Sequence, residues 1–294
     1  MNIDIDELFK CKEITSSTLN LYKTKLTILN DNKPIKNINY LYDIDNINNK
    51  IGHFKPNTRR TYIIAIVSLL ACINKSSKTT KKLKKLYEDY TKLMDQYNNN
   101  LKDQSKITDG TKIISNEDIN KIYEKLKENK DNTRRSYQDY LILSLYTLLP
   151  PKRNLDYQLM RYIKKYNENL SNDYNYYDGN TFYFNNYKTR GTYKQLTTEV
   201  PEELQQIINY HIKNNNLNDN DFILRDFNKE TEIKGNNGMT LILNRIFGGK
   251  VGASMLRRSY LTNKYGTSQS DLQSDVKAMG TSTDMAMSNY IKKK

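Results

Sequence analysis

A polar stretch at residues 98–112 separates two apolar segments, and this division constrains the fold more than any other feature of the sequence. The stretch reads NNNLKDQSKITDGTK, with an Asn run, an Asp-Gly pair and little apolar content. The apolar runs on either side are IIAIVSLLACI at 63–73 and LILSLYTLL at 141–149. A chain of 294 residues is long enough to build a core around each run. The sequence therefore predicts one domain over 1–108 and a second over 109–294.

The first predicted domain reads as helical. Ser/Thr caps precede apolar residues at three- and four-residue spacing in TSSTLNLYKTKLTILND, and 35–54 has the pattern of a short helix pair. KPNTRRTYIIAIVSLLACIN predicts a buried helix capped by Asn57 or Thr58. KTTKKLKKLYEDYTKLMDQYNNNL predicts a long amphipathic helix with an apolar stripe of Leu83, Leu86, Tyr90 and Leu93. Its lysines fit either a DNA contact or a solvated face.

The second predicted domain combines helices with a little sheet. FYF at 182–184 and YKQLTTEVP at 193–201 predict a β-hairpin in which Gly191 permits a tight turn. FILRD predicts a short edge strand. The other periodic segments predict helices: SNEDINKIYEKLKEN, DNTRRSYQDYLILSLYTLLPP, EELQQIINYHIKNN, MTLILNRIFGG, SMLRRSYLTNKYG, SQSDLQSDVKAMG and DMAMSNY. The predicted fold class is mainly α with a small β-sheet, an α+β fold.

The charge balance indicates a polyanionic partner. The formal net charge is +14, and each Lys or Arg that meets a phosphate releases counterions. The alternative is a basic surface without a partner, produced by an AT-rich genome that over-uses Asn, Lys, Ile and Tyr codons. The charge favours nucleic-acid binding over that alternative.

Cysteine and histidine usage excludes several classes of site. Cys11 and Cys72 provide no disulfide framework and fit a reducing compartment. Neither His53 nor His211 has a neighbouring metal ligand, so no metal site is expected, and His211 is predicted on a helix surface. The apolar runs are shorter than the about 20 residues of a membrane span. Since the acidic N-terminus also lacks a signal-peptide pattern, the sequence predicts a soluble intracellular protein.

Four residues far apart in the sequence have the chemistry for attack on a phosphodiester. Arg153 follows a double proline, Lys188 lies in the predicted hairpin, Arg257 lies in a helix, and Tyr290 ends the last predicted helix. Arginines hold phosphate oxygens, a lysine can protonate the leaving oxygen, and a phenol can be the nucleophile. Taken singly, each also fits a structural role; Arg153 with Asp156, for example, fits a helix-surface pair. Taken as an ordered set, they favour the chemical role.

The order of these residues resembles the catalytic domain of tyrosine recombinases, the phage-integrase family. The first box of that family is an arginine after a helix end, followed three residues later by Glu or Asp. PPKRNLD supplies Arg153 and Asp156 at this spacing. The lysine of the family's hairpin corresponds to Lys188 in YKTRG.

The later boxes match in spacing but not at the histidines. The family's His-x-x-Arg reads SMLR, with Ser254 before Arg257. The family's Leu-Gly-His-Ser, followed by a tyrosine nine residues after the histidine, reads MGTS, with Thr281 at the histidine position and Tyr290 at the tyrosine position. Ser and Thr can donate a hydrogen bond to a phosphate oxygen, but neither titrates near neutrality.

The resemblance implies a site-specific recombinase or integrase that cleaves and rejoins DNA through a 3′-phosphotyrosyl intermediate. Tyr290 would be the nucleophile and Lys188 the general acid. Arg153 and Arg257 would hold the phosphate, Ser254 and Thr281 would donate hydrogen bonds to it, and Asp156 would orient Arg153. The resemblance implies no metal, no ATP and no other cofactor.

The implied partner is double-stranded DNA, and the helical 1–108 is similar to the family's core-binding domain. The candidate DNA-binding residues are Arg59, Arg60, Lys81, Lys82, Arg190 and Arg258. The family assembles on DNA, which implies a dimer or tetramer located wherever its DNA is (cytoplasm, nucleus or viral factory). The composition suits a mobile element or a large DNA virus. The alternatives are a type IB topoisomerase-like enzyme and a catalytically degenerate DNA-binding relative.

Overall fold

The computed structural model describes residues 4–75, 80–107, 113–229, 231–235, 237–265 and 272–290. The chain divides into two compact units, Met1–Gly110 and Thr111–Lys294, here unit 1 and unit 2. The described residues are mainly helical with a small β-sheet, which confirms the predicted α+β class. No helix in these ranges is both long and apolar enough to span a membrane.

Unit 1 is built around one apolar helix. Its helices are α1 (Ile5–Phe9), α2 (Ser16–Leu29), α3 (Ile44–Ile51), α4 (Pro56–Lys75) and α5 (Lys81–Ile107), with a 3-10 turn at Asn39–Tyr42. The predicted apolar run lies in α4, which is buried along most of its length and packs against α2 and α5. α5 places Leu86 and Tyr90 in the same core, as its predicted stripe requires. The prediction that Asn57 or Thr58 caps this helix was wrong, because α4 begins at Pro56 and both residues lie inside it. Proline suits the first helical position.

The polar stretch that predicted a linker is helical as far as Ile107, so most of it extends α5. Asparagine is a weak helix former, but tertiary contacts offset that preference. Tyr97 packs against the unit 1 core, and Nε of Arg60 donates to Oδ1 of Asn98. Residues 108–112 lie outside the described residues.

The expectation that Cys11 and Cys72 stay unpaired was wrong. The two residues form a disulfide, with their Cα atoms 5.6 Å apart across a sequence separation of 61 residues. α1 packs against α4, and this places a cysteine that follows α1 beside one inside α4. Sequence spacing carries no sign of this proximity, because the pairing depends on helix packing.

Unit 2 contains the mixed part of the fold. Its helices are α6 (Asn116–Glu128), α7 (Arg134–Thr147), α8 (Asn154–Gln158), α9 (Arg190–Tyr193), α10 (Glu202–Asn214), α11 (Gly238–Ile246), α12 (Ala253–Tyr265), α13 (Leu272–Ala278) and α14 (Thr283–Asn289), with a 3-10 turn at Lys130–Asn132. The strands are β1 (Met160–Tyr162), β2 (Asn175–Tyr177), β3 (Thr181–Phe184), β4 (Leu196–Glu199), β5 (Arg225–Asp226) and β6 (Thr231–Glu232).

The main sheet packs its aromatic side chains into the unit 2 core. Its order is β1-β2-β3-β4, with β1 and β2 parallel and the other neighbours antiparallel. Tyr177, Phe182 and Phe184 are buried there with most of α7, which the sequence predicted as a buried helix. FILRD supplies β5, which pairs with β6 in a separate two-stranded sheet.

The connection between β3 and β4 differs from the predicted tight turn. The strands pair as an antiparallel hairpin, but α9 lies between them and Gly191 falls inside that helix. The left-handed backbone position belongs instead to Lys194, at φ 56°. Since the connection spans residues 185–195, it is much longer than a two-residue hairpin turn and accommodates a helical turn.

The prediction that His211 lies on a helix surface was also wrong. His211 is buried, and its Nε2 lies 3.0 Å from the carbonyl oxygen of Ile223. Burial lowers the pKa of His211 to about 4, so the ring is neutral near pH 7. The sequence spacing does indicate burial, because His211 follows Ile207 and Ile208 by four and three residues and so lies on the apolar face of α10.

Candidate active site

The sequence-predicted residues converge on one open cavity of about 540 Å³ in unit 2. Arg153, Lys188, Ser254, Arg257 and Tyr290 all line it, although they come from four separate segments of the chain. The other lining residues are Asn154, Leu155, Thr240, Gly252, Ala253 and Met285. The cavity therefore brings together two arginines, a lysine, a hydroxyl and a phenol.

Arg257 gives the cavity its strongest chemical constraint. The residue is 1% exposed, and Nε, Nη1 and Nη2 have no hydrogen-bond partner among the described residues. Its Cζ lies 5.3 Å from the centroid of the Tyr290 ring. Burial lowers the pKa of the guanidinium, although arginine stays charged in proteins. A buried charge without hydrogen bonds lowers the folding stability by roughly several kcal/mol. An oxyanion that accepts from the guanidinium through two oxygens would offset that cost.

Arg153 enters the cavity from the start of α8. Its Nη1 donates to the carbonyl oxygen of Gly280 at 3.1 Å, which leaves the other guanidinium donors for a ligand. The predicted partner Asp156 is buried and accepts from the Arg153 backbone amide at 3.2 Å. Burial raises the pKa of Asp156, while Lys152 and Arg153 oppose the rise. Asp156 therefore fixes the backbone at Arg153.

Asn175 connects the Arg153 helix to the segment that carries Lys188. It is 1% exposed, and its Oδ1 accepts from the amides of Asn185 and Asn186 at 2.8 Å each. Its Nδ2 donates to the carbonyl oxygens of Asp156 at 2.8 Å and Asn186 at 3.0 Å. Lys188 itself is exposed. Sequence reasoning missed Asn175, because an asparagine among many polar neighbours carries no signal of such contacts.

The turn between α13 and α14 positions the nucleophile candidate. Gly280 has a φ of 62°, and a Cβ there would lie 3.4 Å from the Tyr187 ring and from Oγ1 of Thr189. The carbonyl oxygen of Gly280 accepts from Thr189 Oγ1 at 2.8 Å as well as from Arg153. After α14, the Tyr290 carbonyl oxygen accepts from Thr262 Oγ1 at 2.8 Å. The turn therefore joins the segments of Arg153, Lys188 and Tyr290.

The two residues at the histidine positions differ in placement. Ser254 is exposed and lines the cavity. Thr281 is 4% exposed and is not among the described residues that line it. The Thr281 carbonyl oxygen accepts from the Tyr193 hydroxyl at 3.3 Å. Ser254 thus lies in the cavity wall and Thr281 does not, and a ligand contact by either residue stays a prediction.

The candidate DNA-binding residues fall into two groups. In unit 1, Arg59 donates to the carbonyl oxygens of Phe54 and Gly52, and Arg60 donates to Asn98. These guanidinium groups therefore have structural partners of their own. Of the other four candidates, Lys81, Lys82 and Arg190 are exposed and Arg258 is half-buried. Arg190 also donates to the carbonyl oxygen of Asn172 at 3.0 Å, and Nζ of Lys82 lies 4.3 Å from the centroid of the Tyr42 ring.

Lys152 is the second residue that sequence reasoning missed. It is 4% exposed, its Nζ donates to the carbonyl oxygen of Ala278, and the same Nζ lies 4.0 Å from the centroid of the Phe184 ring. Burial lowers the pKa of Lys152 to about 8. A lysine between two prolines and Arg153 gives no sequence sign of burial, since lysines are almost always exposed.

A buried carboxylate joins α12, which carries Arg257, to α13. Oδ2 of Asp275 accepts from Lys264 Nζ at 2.6 Å, from the Tyr260 hydroxyl at 2.7 Å and from the Tyr265 hydroxyl. Burial alone would raise the pKa of Asp275, but these hydrogen bonds outweigh it and hold the pKa below its ordinary value. The ionised carboxylate is therefore favoured by folding.

We expect Asp275→Asn to lower the free energy of unfolding by about 1–3 kcal/mol near pH 7, as charge-assisted hydrogen bonds are lost. The folded pKa is depressed, so this contribution is present above the unfolded pKa of about 3.9 and is lost as pH falls through the folded value. Urea unfolding at about pH 7 and about pH 3 checks this, because the difference between wild type and variant should shrink in acid. An equal difference at both pH values would contradict the assignment.

Comparison with known proteins adds little to the geometry. No protein-family model and no curated protein matches this chain. Among solved structures, the crystal structure of XerA recombinase is similar to it, with a TM-score of 0.43 and 11% identity over 98% of this chain and 94% of that chain. A likeness at that TM-score carries no functional weight.

Proposed function

We propose that this protein is a DNA-cleaving and rejoining enzyme of the tyrosine recombinase type, a site-specific recombinase or integrase. The observation that carries the proposal is the buried Arg257, whose three guanidinium nitrogens have no hydrogen-bond partner among the described residues and whose Cζ is 5.3 Å from the Tyr290 ring centroid. Arg153 and Lys188 line the same cavity. This arrangement suits an oxyanion held beside a phenol and a proton donor.

In the proposed reaction, the Tyr290 oxygen attacks a DNA phosphorus atom as the phenol gives its proton to solvent water. Arg153 and Arg257 hold the non-bridging oxygens and stabilise the additional charge of the pentavalent state. The bond from phosphorus to the 5′ oxygen then breaks, and Lys188 gives a proton to that oxygen. The product is a 3′-phosphotyrosyl link and a free 5′-hydroxyl, and rejoining reverses the step.

Other residues support this reaction without replacing the missing imidazoles. Ser254 would donate a hydrogen bond to the phosphate from the cavity wall, and Thr281 is proposed as a weaker donor. Asp156 and Asn175 hold the backbone segments of Arg153 and Lys188. None of these groups ordinarily titrates near neutrality. Charge stabilisation is therefore assigned to the two arginines, and proton donation to Lys188.

The proposed partner is double-stranded DNA. The net charge of +14 and the exposed Lys81 and Lys82 on unit 1 support binding along a phosphate backbone. Assembly as a dimer or tetramer on DNA and an origin in a mobile element or virus belong to the same proposal. Affinity should fall steeply with salt, because each neutralised phosphate releases counterions.

Covalent trapping tests the function directly. A nicked duplex that loses its short 5′-hydroxyl product after cleavage should leave a protein–DNA adduct that survives denaturing electrophoresis. Tight DNA binding without any adduct would favour the degenerate DNA-binding relative instead. A two-site strand-exchange assay run beside supercoil relaxation then separates a recombinase from a topoisomerase-like enzyme.

Lys188→Ala should slow single-turnover cleavage by about 100-fold or more, which is the usual range for loss of a positioned acid. The loss should largely disappear on a substrate whose bridging 5′ oxygen is replaced by sulfur, because a thiolate leaves without needing a proton. Lys250→Ala, on an exposed lysine of unit 2, is the matched control. An equal loss on both substrates would show that Lys188 acts by some means other than proton donation.

A further inference from the structure

We infer that Lys152 is a positioning residue for this reaction: its ammonium group holds the start of α8, which carries Arg153, against the turn that leads to Tyr290. The inference rests on the proposed function, since it assigns a role within the same site. Lys152 does not line the described part of the cavity, so it acts through its neighbours and does not touch the phosphate.

Two consecutive cations attach α8 to the same turn. Nζ of Lys152 donates to the carbonyl oxygen of Ala278, at the end of α13. Nη1 of Arg153 donates to the carbonyl oxygen of Gly280 at 3.1 Å. One hydrogen bond would leave the turn free to pivot about a single point. Two bonds to carbonyls two residues apart fix its orientation relative to the Arg153 guanidinium.

The turn held by Lys152 also binds the Lys188 segment. Oγ1 of Thr189 donates to the Gly280 carbonyl oxygen at 2.8 Å, and the Tyr193 hydroxyl donates to the Thr281 carbonyl oxygen at 3.3 Å. The end of α13 and the turn thus meet the segments that carry three of the proposed catalytic groups. Loosening Lys152 would therefore disturb the distances among them, and small displacements have large effects on catalysis.

The chemistry of the Lys152 environment favours a functional reason for the charge. Asp156 on α8 attracts the ammonium, Phe184 on β3 contributes its ring face, and Arg153 and Arg257 repel it. Burial is the largest influence and lowers the pKa of Lys152 to about 8. A methionine would fill similar space without desolvating a charge. The charge of Lys152 is therefore desolvated at a cost in folding stability, which its hydrogen bond to Ala278 and its attraction to Asp156 partly offset.

Lys152→Met is the main test, measured as single-turnover cleavage at saturating protein. We expect the rate to fall by about 10- to 100-fold, the scale of a small misplacement of catalytic groups, while DNA affinity stays within about threefold. The melting temperature of the DNA-free protein should change little, because the gain from removing a desolvated charge is offset by the loss of its hydrogen bond to Ala278 and of its attraction to Asp156. Lys213→Met removes the same charge from the exposed face of α10 and should leave all three measurements unchanged.

Two further measurements separate positioning from other roles. The bridging-sulfur substrate should not restore cleavage in Lys152→Met, because Lys152 does not protonate the leaving oxygen. The ratio of wild-type to Lys152→Met rates should shrink as pH rises through about 8, where the wild-type lysine loses its charge. Lys152→Arg keeps its charge above that pH, so its rate relative to wild type should increase there.

The outcomes are distinguishable from failure of the proposed function. If wild type forms no adduct, the proposed function fails before any variant is compared. If wild type cleaves and Lys152→Met cleaves equally fast, the positioning role is wrong. A fall in melting temperature that parallels the fall in rate would make Lys152 a purely structural residue, and rescue by sulfur would make it a proton donor. Should Lys152→Met not fold, the pH profile of Lys152→Arg decides in its place: a profile identical to that of wild type would overturn the inference.

Discussion

Tyr290→Phe is expected to abolish the covalent protein–DNA adduct completely while leaving DNA affinity nearly unchanged. The substitution removes the single oxygen that would bond to phosphorus and keeps the ring that Arg257 faces at 5.3 Å. The measurement is adduct yield on the nicked substrate, with binding followed by fluorescence anisotropy at the same salt concentration. A change confined to the adduct would identify the nucleophile.

The chain contains 24 tyrosines, so the control for this variant has to be another tyrosine. Tyr210 is exposed on α10, and Tyr210→Phe should leave both adduct and affinity unchanged. If Tyr290→Phe forms adduct at the wild-type yield, the phenol that reacts is a different one. Mapping the DNA-linked peptide by mass spectrometry would then locate it.

Arg257→Met should reduce cleavage by about 100-fold or more, the usual cost of removing a preorganised donor to developing charge. The same substitution should raise the free energy of unfolding of the DNA-free protein by about 1 kcal/mol or more, because it removes a buried charge whose nitrogens have no hydrogen-bond partner among the described residues. Single-turnover kinetics and urea unfolding check the two effects. A lower cleavage rate together with a higher free energy of unfolding would show that Arg257 serves ligand binding and not folding stability.

The neighbouring Arg258 supplies the contrast on the same helix. It is half-buried and is not among the described residues that line the cavity. Arg258→Met should weaken DNA binding, as predicted for a DNA contact, but leave cleavage at saturating protein close to wild type. Cleavage within about threefold of wild type in Arg257→Met would remove Arg257 from the proposed clamp.

The sequence predicted the members of the candidate site better than the way in which they are held. Five predicted residues line one cavity. The sequence could identify them because each belongs to a motif defined by residue type and local spacing, and both are visible in a sequence. The apolar runs at 63–73 and 141–149 likewise predicted the buried α4 and α7. The interpretation of Arg153 and Asp156 as a mere surface pair does not fit the buried Asp156.

The remainder depended on contacts between distant segments, which one sequence does not reveal. Asn175 forms hydrogen bonds with Asp156 and Asn185, and Lys152 forms one with Ala278. The residues between these partners show no sequence pattern that predicts the contacts. The pairing of Cys11 with Cys72 depends in the same way on helix packing. His211 is different, because its spacing from Ile207 and Ile208 places it on the apolar face of α10. The prediction of a surface position relied on the polarity of histidine instead of this spacing.

The nucleophile candidate stands at the end of α14, a helix of only seven residues. Isolated helices shorter than about 12 residues are marginal in water, so α14 holds its form through tertiary contacts and not through its own propensity. The buried Ala286 and the bond from Thr262 to the Tyr290 carbonyl provide two of those contacts. The position of the phenol therefore depends on the local stability of α14. Whatever tightens or loosens those contacts would govern how often the tyrosine is ready to react, without touching the phosphate at all.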